Sequence, residues 1–251
     1  MSGVIVITGA SRGIGAATAR LAAKRGYDVL VNFVSNAEAA AGVVREVVAA
    51  GQRARAVAGD VANPADIETI FAAADAMGPL KGLFNNAGHA DRSGRVDQLD
   101  AARLTRMMAV HVVGSMLCAG AAVRRMSTRH GGSGGAIVNM SSAASKMGAP
   151  GLYVDYATAK GAIDTFTVGL ALEVAGEGVR VNAVRPGIID TEIHASGGDP
   201  DRVARIASSL PMGRAGSAEE VASTVIWLLS EDASYVTGAS LSVGGGRGAI
   251  P

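Results

Sequence analysis

The chain holds one cysteine, one tryptophan, four phenylalanines, four tyrosines and four histidines in 251 residues. A single cysteine, Cys118, excludes an internal disulfide, and its apolar neighbourhood without metal-ligand spacing reads it as a packing residue suited to a reducing cytoplasm. Charge is sparse and balanced: 23 basic and 22 acidic side chains leave a formal net charge of +1. That balance argues against a nucleic-acid backbone or an anionic membrane as partner. No run approaches about 18 uninterrupted apolar residues, and the start MSGVIVITGA has no basic segment before its apolar run, so neither a membrane span nor an export signal is expected. His89, His130 and His194 lack ligand spacing to any acid or cysteine, so no metal is expected. No proline- or serine-rich linker, repeat or long charge block divides the chain, which predicts one domain over residues 1–251.

What is abundant is glycine, at 34 residues, and hydrophobic side chains, at 49%. Short β-branched runs at 4–8, 28–34, 54–61, 80–85, 136–140, 179–184 and 239–243 are separated, in most cases, by alanine-rich stretches of helical period. Continuous apolar strands alternating with helices predict a doubly wound parallel α/β sheet with helices on both faces. The segment 190–216 breaks the alternation with polar residues, glycines and two prolines, and is expected to be a substrate flap beyond a strand end.

VIVITGASRGIGAATARLAAKRG, residues 4–26, reads as strand, glycine turn, helix. Gly9, Gly13 and Gly15, with Ser11, Arg12 and Ile14 between them, let the backbone approach a pyrophosphate closely at the positive end of the helix. The spacing departs from Gly-x-Gly-x-x-Gly, but the turn opens the first βα unit, where dinucleotides bind. The second strand ends Asn32-Phe33-Val34-Ser35, with no acid to hold a ribose 2′-hydroxyl or repel a 2′-phosphate. With Arg12 able to pair with that phosphate, NADP(H) is favoured over NAD(H), and Asn32 and Ser35 are expected to face the ribose.

Tyr156 and Lys160 are four residues apart and share a helix face, whereas Tyr153 has Ala157 at that spacing. A nearby ammonium is expected to lower a phenol's pKa from about 10 by about 1 to 3 units, towards a useful acid–base range.

Taken together, TGASRGIG (8–15), NNAG (85–88), NMSS (139–142), YATAK (156–160) and RPG (185–187) make the whole chain resemble the short-chain dehydrogenases/reductases. Wording such as RPGIIDTEIHASGG and SYVTG is similar to that of bacterial glucose or sugar dehydrogenase-like and carbonyl reductase-like members. The resemblance implies a Rossmann-like sheet of about seven parallel strands, hydride transfer between a nicotinamide cofactor and an alcohol or carbonyl, and usually a homotetramer. It also implies site roles. Asn86, Ala87 and Gly88 would lie on the adenosine side, Asp60 and Val61 at the adenine, and Pro186, Gly187 and Thr191 beside the nicotinamide. Tyr156 would protonate the carbonyl oxygen, Lys160 would tune it and bind the ribose, and Ser142, with Ser141 as its neighbouring alternative, would hydrogen-bond the same oxygen.

One position departs from the resemblance. Where the family usually carries a relay asparagine, this chain has His111, in Ala109-Val110-His111-Val112-Val113-Gly114. With a reference pKa near 6.5, histidine can carry a relay or displace its water. Gly244 also stands where relatives often have aspartate. A non-catalytic dinucleotide-binding regulatory or scaffold protein is the alternative reading.

Overall fold

Val4, Ile5, Val6 and Ile7 are all β-branched and all fully buried, so this short strand has a hydrophobic layer on each face. In the computed structural model, which describes residues 3–248, it is β1 (Val4–Ile7), an interior strand of a seven-stranded parallel sheet. The others are β2 (Asp28–Phe33), β3 (Ala54–Ala58), β4 (Leu80–Asn85), β5 (Gly135–Met140), β6 (Val179–Pro186) and β7 (Ser240–Val243), in the order β3-β2-β1-β4-β5-β6-β7. All seven expected strands are present. The third is shorter than the run 54–61 because the chain turns at Asp60, whose carboxylate accepts from the Ala62 amide at 2.9 Å. The sixth is longer, because β7 pairs with it as far as Pro186.

Among the described residues ten α-helices accompany the strands: α1 (Gly13–Lys24), α2 (Ala37–Ala49), α3 (Pro64–Asp75), α4 (Ala101–Met108), α5 (Ser115–Met126), α6 (Ala144–Met147), α7 (Val154–Val174), α8 (Ile193–Ser196), α9 (Arg202–Ile206) and α10 (Ala218–Leu229). Their starts are chemically marked. Asn36 and Asn63 cap α2 and α3, Pro64 occupies the first turn of α3, and Ser217 with Glu220 forms a reciprocal box on α10. Side chains alternate along each strand, so Ile5, Ile7, Val29 and Val31 pack with α1, α2 and α10, whereas Val4, Val6, Leu30 and Leu83 pack with α3, α5 and α7. Cys118 of α5 is fully buried in the second layer, and burial pushes its thiol up to about 12.

The stretch Ala101–Met126 is long and apolar enough by composition to cross a membrane. Here it is broken into α4, a wide π-type turn at Ala109–Gly114, and α5, and the α5 part packs in the core through Ala119, Ala122 and Met126. The strand order reverses between β1 and β4, opening a crevice at their carboxyl ends.

Candidate active site

At the end of β1 the backbone turns through Gly9 and Gly13, both left-handed, with φ of +61° and +53°. Gly15 has no room for a side chain: a Cβ there would lie 2.6 Å from the Gly9 carbonyl oxygen. Three polar side chains lock this turn to its neighbours. The Thr8 hydroxyl accepts from the Asn86 and Ala87 amides, each at 2.9 Å, and Asn86 Nδ2 donates to the Thr8 and Gly9 carbonyls at 2.8 and 2.9 Å. Asn32 is buried beneath the turn, where Oδ1 accepts from the Gly9 amide at 3.2 Å and Nδ2 donates to the Gly59 carbonyl at 2.9 Å. Its side chain is therefore committed to holding the turn instead of facing a ribose. Helix α1 starts immediately, at extended Arg12, with no side-chain cap and no acid in its first turn. Its opening amides and dipole are thus left for an external anion, which fits a dinucleotide pyrophosphate.

From this turn a cleft of about 440 Å³ runs to the end of β5. Gly9, Arg12, Gly13, Ile14, Asn86, Gly88, His111, Ser142, Tyr156, Lys160, Pro186, Gly187 and Thr191 line it, so most expected site residues converge on one cavity. Ser11, Gly15, Asn32, Ser35, Asp60, Val61 and Ala87 are not among its lining residues. Asn139 of the NMSS motif is buried beneath the wall, bridging Asn85 at 2.9 Å and Thr167 at 3.0 Å.

The two serines separate by geometry. Ser141 is buried and donates to the Lys160 carbonyl at 3.3 Å, whereas Ser142 lines the cleft with Tyr156, acts against burial on the Tyr156 phenol, and accepts from the Ala144 amide at 3.1 Å. Lys160 is buried one turn beyond Tyr156 on α7; its Nζ lies 5.4 Å from the Tyr156 ring centroid and donates to the Met140 carbonyl at 2.7 Å. Here the electrostatics run opposite to the simple expectation of a lysine lowering a tyrosine. Burial pushes Tyr156 above its ordinary value of 10, only partly opposed by Ser142, and burial pushes Lys160 down from 10.5 to about 7, partly opposed by Asp164. Desolvation disfavours both charged forms, and the ammonium is directed at Met140.

His111 occupies the π-type turn, buried, its ring perpendicular to Tyr156 at 5.3 Å and 5.2 Å from the ring of His89. Nε2 faces the main-chain nitrogen and oxygen of His89 at 3.2 and 2.9 Å, while Nδ1 has no hydrogen-bond partner. Gly88 is obligatory beside it, because a Cβ there would sit 2.5 Å from His111 Cε1. Burial first, then the Lys160 charge, hold the ring well below its ordinary 6.5, so near neutrality it is an uncharged donor and acceptor.

Residues 9–247 match the family described as enoyl-(acyl carrier protein) reductase. A Serratia marcescens short-chain dehydrogenase/reductase, studied in a doubly substituted form, superposes with a TM-score of 0.90 at 32% identity, covering 98% of each chain. The chain belongs to the short-chain dehydrogenases/reductases. It is 51% identical over 97% of its length to an uncharacterized oxidoreductase, YgfF, of Escherichia coli strain K12, of which 99% is covered. A blue fluorescent protein from a metagenomic library, solved in complex with NADPH, matches with a TM-score of 0.89 at 33% identity, over 99% of this chain and 98% of that one.

For a short-chain dehydrogenase/reductase, two cationic cleft residues escaped the sequence reading: Arg202, which opens α9, and Arg247, beyond β7. Their only signal in the sequence was position, one inside the segment 190–216 and one after the final glycine run. Tyr153 also lines the cleft, with the Arg202 guanidinium 5.2 Å over its ring.

Proposed function

We propose that this oxidoreductase transfers a hydride between NADP(H) and a secondary alcohol or carbonyl, with Tyr156 as the acid–base residue. The observation that carries the reading is the cluster of Ser142, Tyr156 and Lys160 in the same cleft as an uncapped helix N-terminus. When bound, the nicotinamide supplies the hydride. Tyr156 then gives its proton to the carbonyl oxygen and Ser142 donates a hydrogen bond to that oxygen, so charge developing there meets donors already in place. Lys160, poised at about 7, exchanges a proton with its surroundings near neutrality and restores the phenol. His111, uncharged and in edge contact with Tyr156, orders the side of the site where protons enter. Intact convergence of the trio gives no support to a purely regulatory or scaffold role.

The preference for NADP(H) rests on the end of β2, where Asn32 is followed by Phe33, Val34 and Ser35, and on exposed Arg12, which makes no ion pair among the described residues. The segment 190–216, which reaches the cleft through Thr191, Glu192, Ile193, Gly197 and Arg202, serves as the substrate flap of a single domain. Exposed Val113, Met116, Leu117, Val168 and Leu172 on neighbouring helices are consistent with a homotetramer.

Turnover of NADPH and of NADH with ketones and sugars tests the reading. Tyr156→Phe is expected to lower kcat by about a hundredfold to ten-thousandfold. Arg12→Ala is expected to raise KM for NADPH roughly tenfold while leaving NADH nearly unchanged. Clear NADH preference in the unmodified chain sinks the cofactor assignment, and an active Tyr156→Phe sinks the acid–base assignment.

A further inference from the structure

Arg202 and Arg247 line the catalytic cleft but have no part in the chemistry above. Arg202 stacks on Tyr153, three residues before Tyr156, and its side chain is only 15% exposed. Its nearest carboxylate oxygen, on Asp199, is 3.9 Å away, and the same carboxylate is already gripped through both oxygens by Arg205. Arg247 is tied down through its main chain, which donates to the Gly244 carbonyl at 2.9 Å, while the next residue, Gly248, packs on Ala143 beside Ser142. Its half-buried guanidinium makes no hydrogen bond or ion pair among the described residues. The two cations are close enough for Arg202 to disfavour the charge on Arg247, in addition to burial. Glu192 is the acid lining this cleft, and its carboxylate lies toward Gly13, at the glycine-turn end.

Two guanidiniums held near one another, partly out of water and with no fully committed acid, are stabilised by an anion between them. Met147, Leu152, Ile188 and Ile193 make the intervening wall apolar. Building on the oxidoreductase reading, we infer that the substrate is an oxo acid or hydroxy acid: its carbonyl or alcohol lies at Ser142 and Tyr156, its carbon chain on the apolar wall, and its carboxylate in the fork of Arg202 and Arg247. Guanidinium geometry matches a carboxylate bidentately, and an uncharged sugar or ketone leaves that fork unanswered.

The test compares acetoacetate and levulinate with their methyl esters in NADPH turnover, in the unmodified chain and in Arg247→Met and Arg202→Met. Acids are expected to exceed esters in kcat/KM, and each substitution is expected to lower that ratio by about tenfold to a hundredfold, mainly through KM for the acid. Esters turned over as well as acids, or a ratio unmoved by both substitutions, overturn the carboxylate assignment and leave the oxidoreductase reading standing. An activity untouched by Tyr156→Phe overturns the latter on its own. If no compound is turned over, calorimetric titration into the NADPH-loaded chain decides: acid binding that is tighter than ester binding and lost in Arg247→Met supports the assignment, and equal or absent binding overturns it.

Discussion

The two halves of the cleft treat buried polar groups in opposite ways. On the nucleotide half, Thr8, Asn32 and Asn86 each hydrogen-bond to neighbouring main chain, so the glycine turn is fixed by satisfied contacts. On the catalytic half, Lys160 is driven toward its neutral form, Tyr156 is held protonated, and His111 keeps a buried nitrogen without a partner. The first half recognises by shape and benefits from rigidity. The second buries its titratable groups, which disfavours their charged forms and costs stability. One sheet carries both because the strand ends supply a rigid base for each.

Gly15→Ala breaks the comparison most severely. Its Cβ would lie 2.6 Å from the Gly9 carbonyl, 2.7 Å from Asn86 Nδ2 and 2.9 Å from Ala10 Cα, and two of those three are backbone. A loss of about 3 kcal/mol in urea unfolding, together with loss of NADPH binding, is expected. Tolerance of alanine there would mean that the turn is not close-packed.

Lys160→Met tests the other half and has the opposite sign. Because the folded value of about 7 lies below the ordinary 10.5, the unfolded chain binds a proton between those pH values that the folded chain does not. Stability therefore falls as pH drops from 10.5 toward 7, and the whole cost is present below 7. Removing the amine is expected to stabilise the cofactor-free chain by about 2 kcal/mol at pH 7, a gain reduced by the lost bond to Met140, while abolishing turnover. The gain should shrink at pH 10. An equal loss of stability at both pH values would place Lys160 with the satisfied network instead.

The same contrast explains what the sequence disclosed. Periodicity and β-branched runs located every strand, because strands covered on both faces leave a continuous apolar signature, and the glycine turn was legible because close backbone approach excludes every other residue. Its four-residue offset from Lys160 and its distance from Ser142 set Tyr156 apart from Tyr153. Motif spacing did not reveal that Asn32 turns inward, since that depends on the partners at Gly9 and Gly59. Nor did it reveal the sense of the Tyr156 shift, because four-residue spacing reports proximity but not burial or the competing Met140 carbonyl. Arg202 and Arg247 were hidden for a third reason: 45 residues apart in sequence, they come to line one cleft only through the fold of the segment after β6 and the tail after β7.

The smallest expected effect belongs to His111. Its folded pKa lies well below 6.5, so as pH falls below 6.5 the unfolded chain is protonated first and the folded chain loses stability, by up to about 1.4 kcal/mol per pH unit. His111→Asn cannot titrate, so the unmodified chain should lose stability faster than the variant between pH 6.5 and 5, with carboxylate contributions common to both cancelling in the difference. The groups facing the ring are Lys160, His89 and Tyr156, and burial brings Lys160 down to about 7. An inflection in kcat near pH 7 is thus assigned to Lys160 and should survive His111→Asn, with at most a small displacement from the changed polarity beside Tyr156. Disappearance of that inflection in the variant would transfer the proton exchange from the lysine to the histidine, and would mean that the unpartnered Nδ1 takes up a proton during turnover.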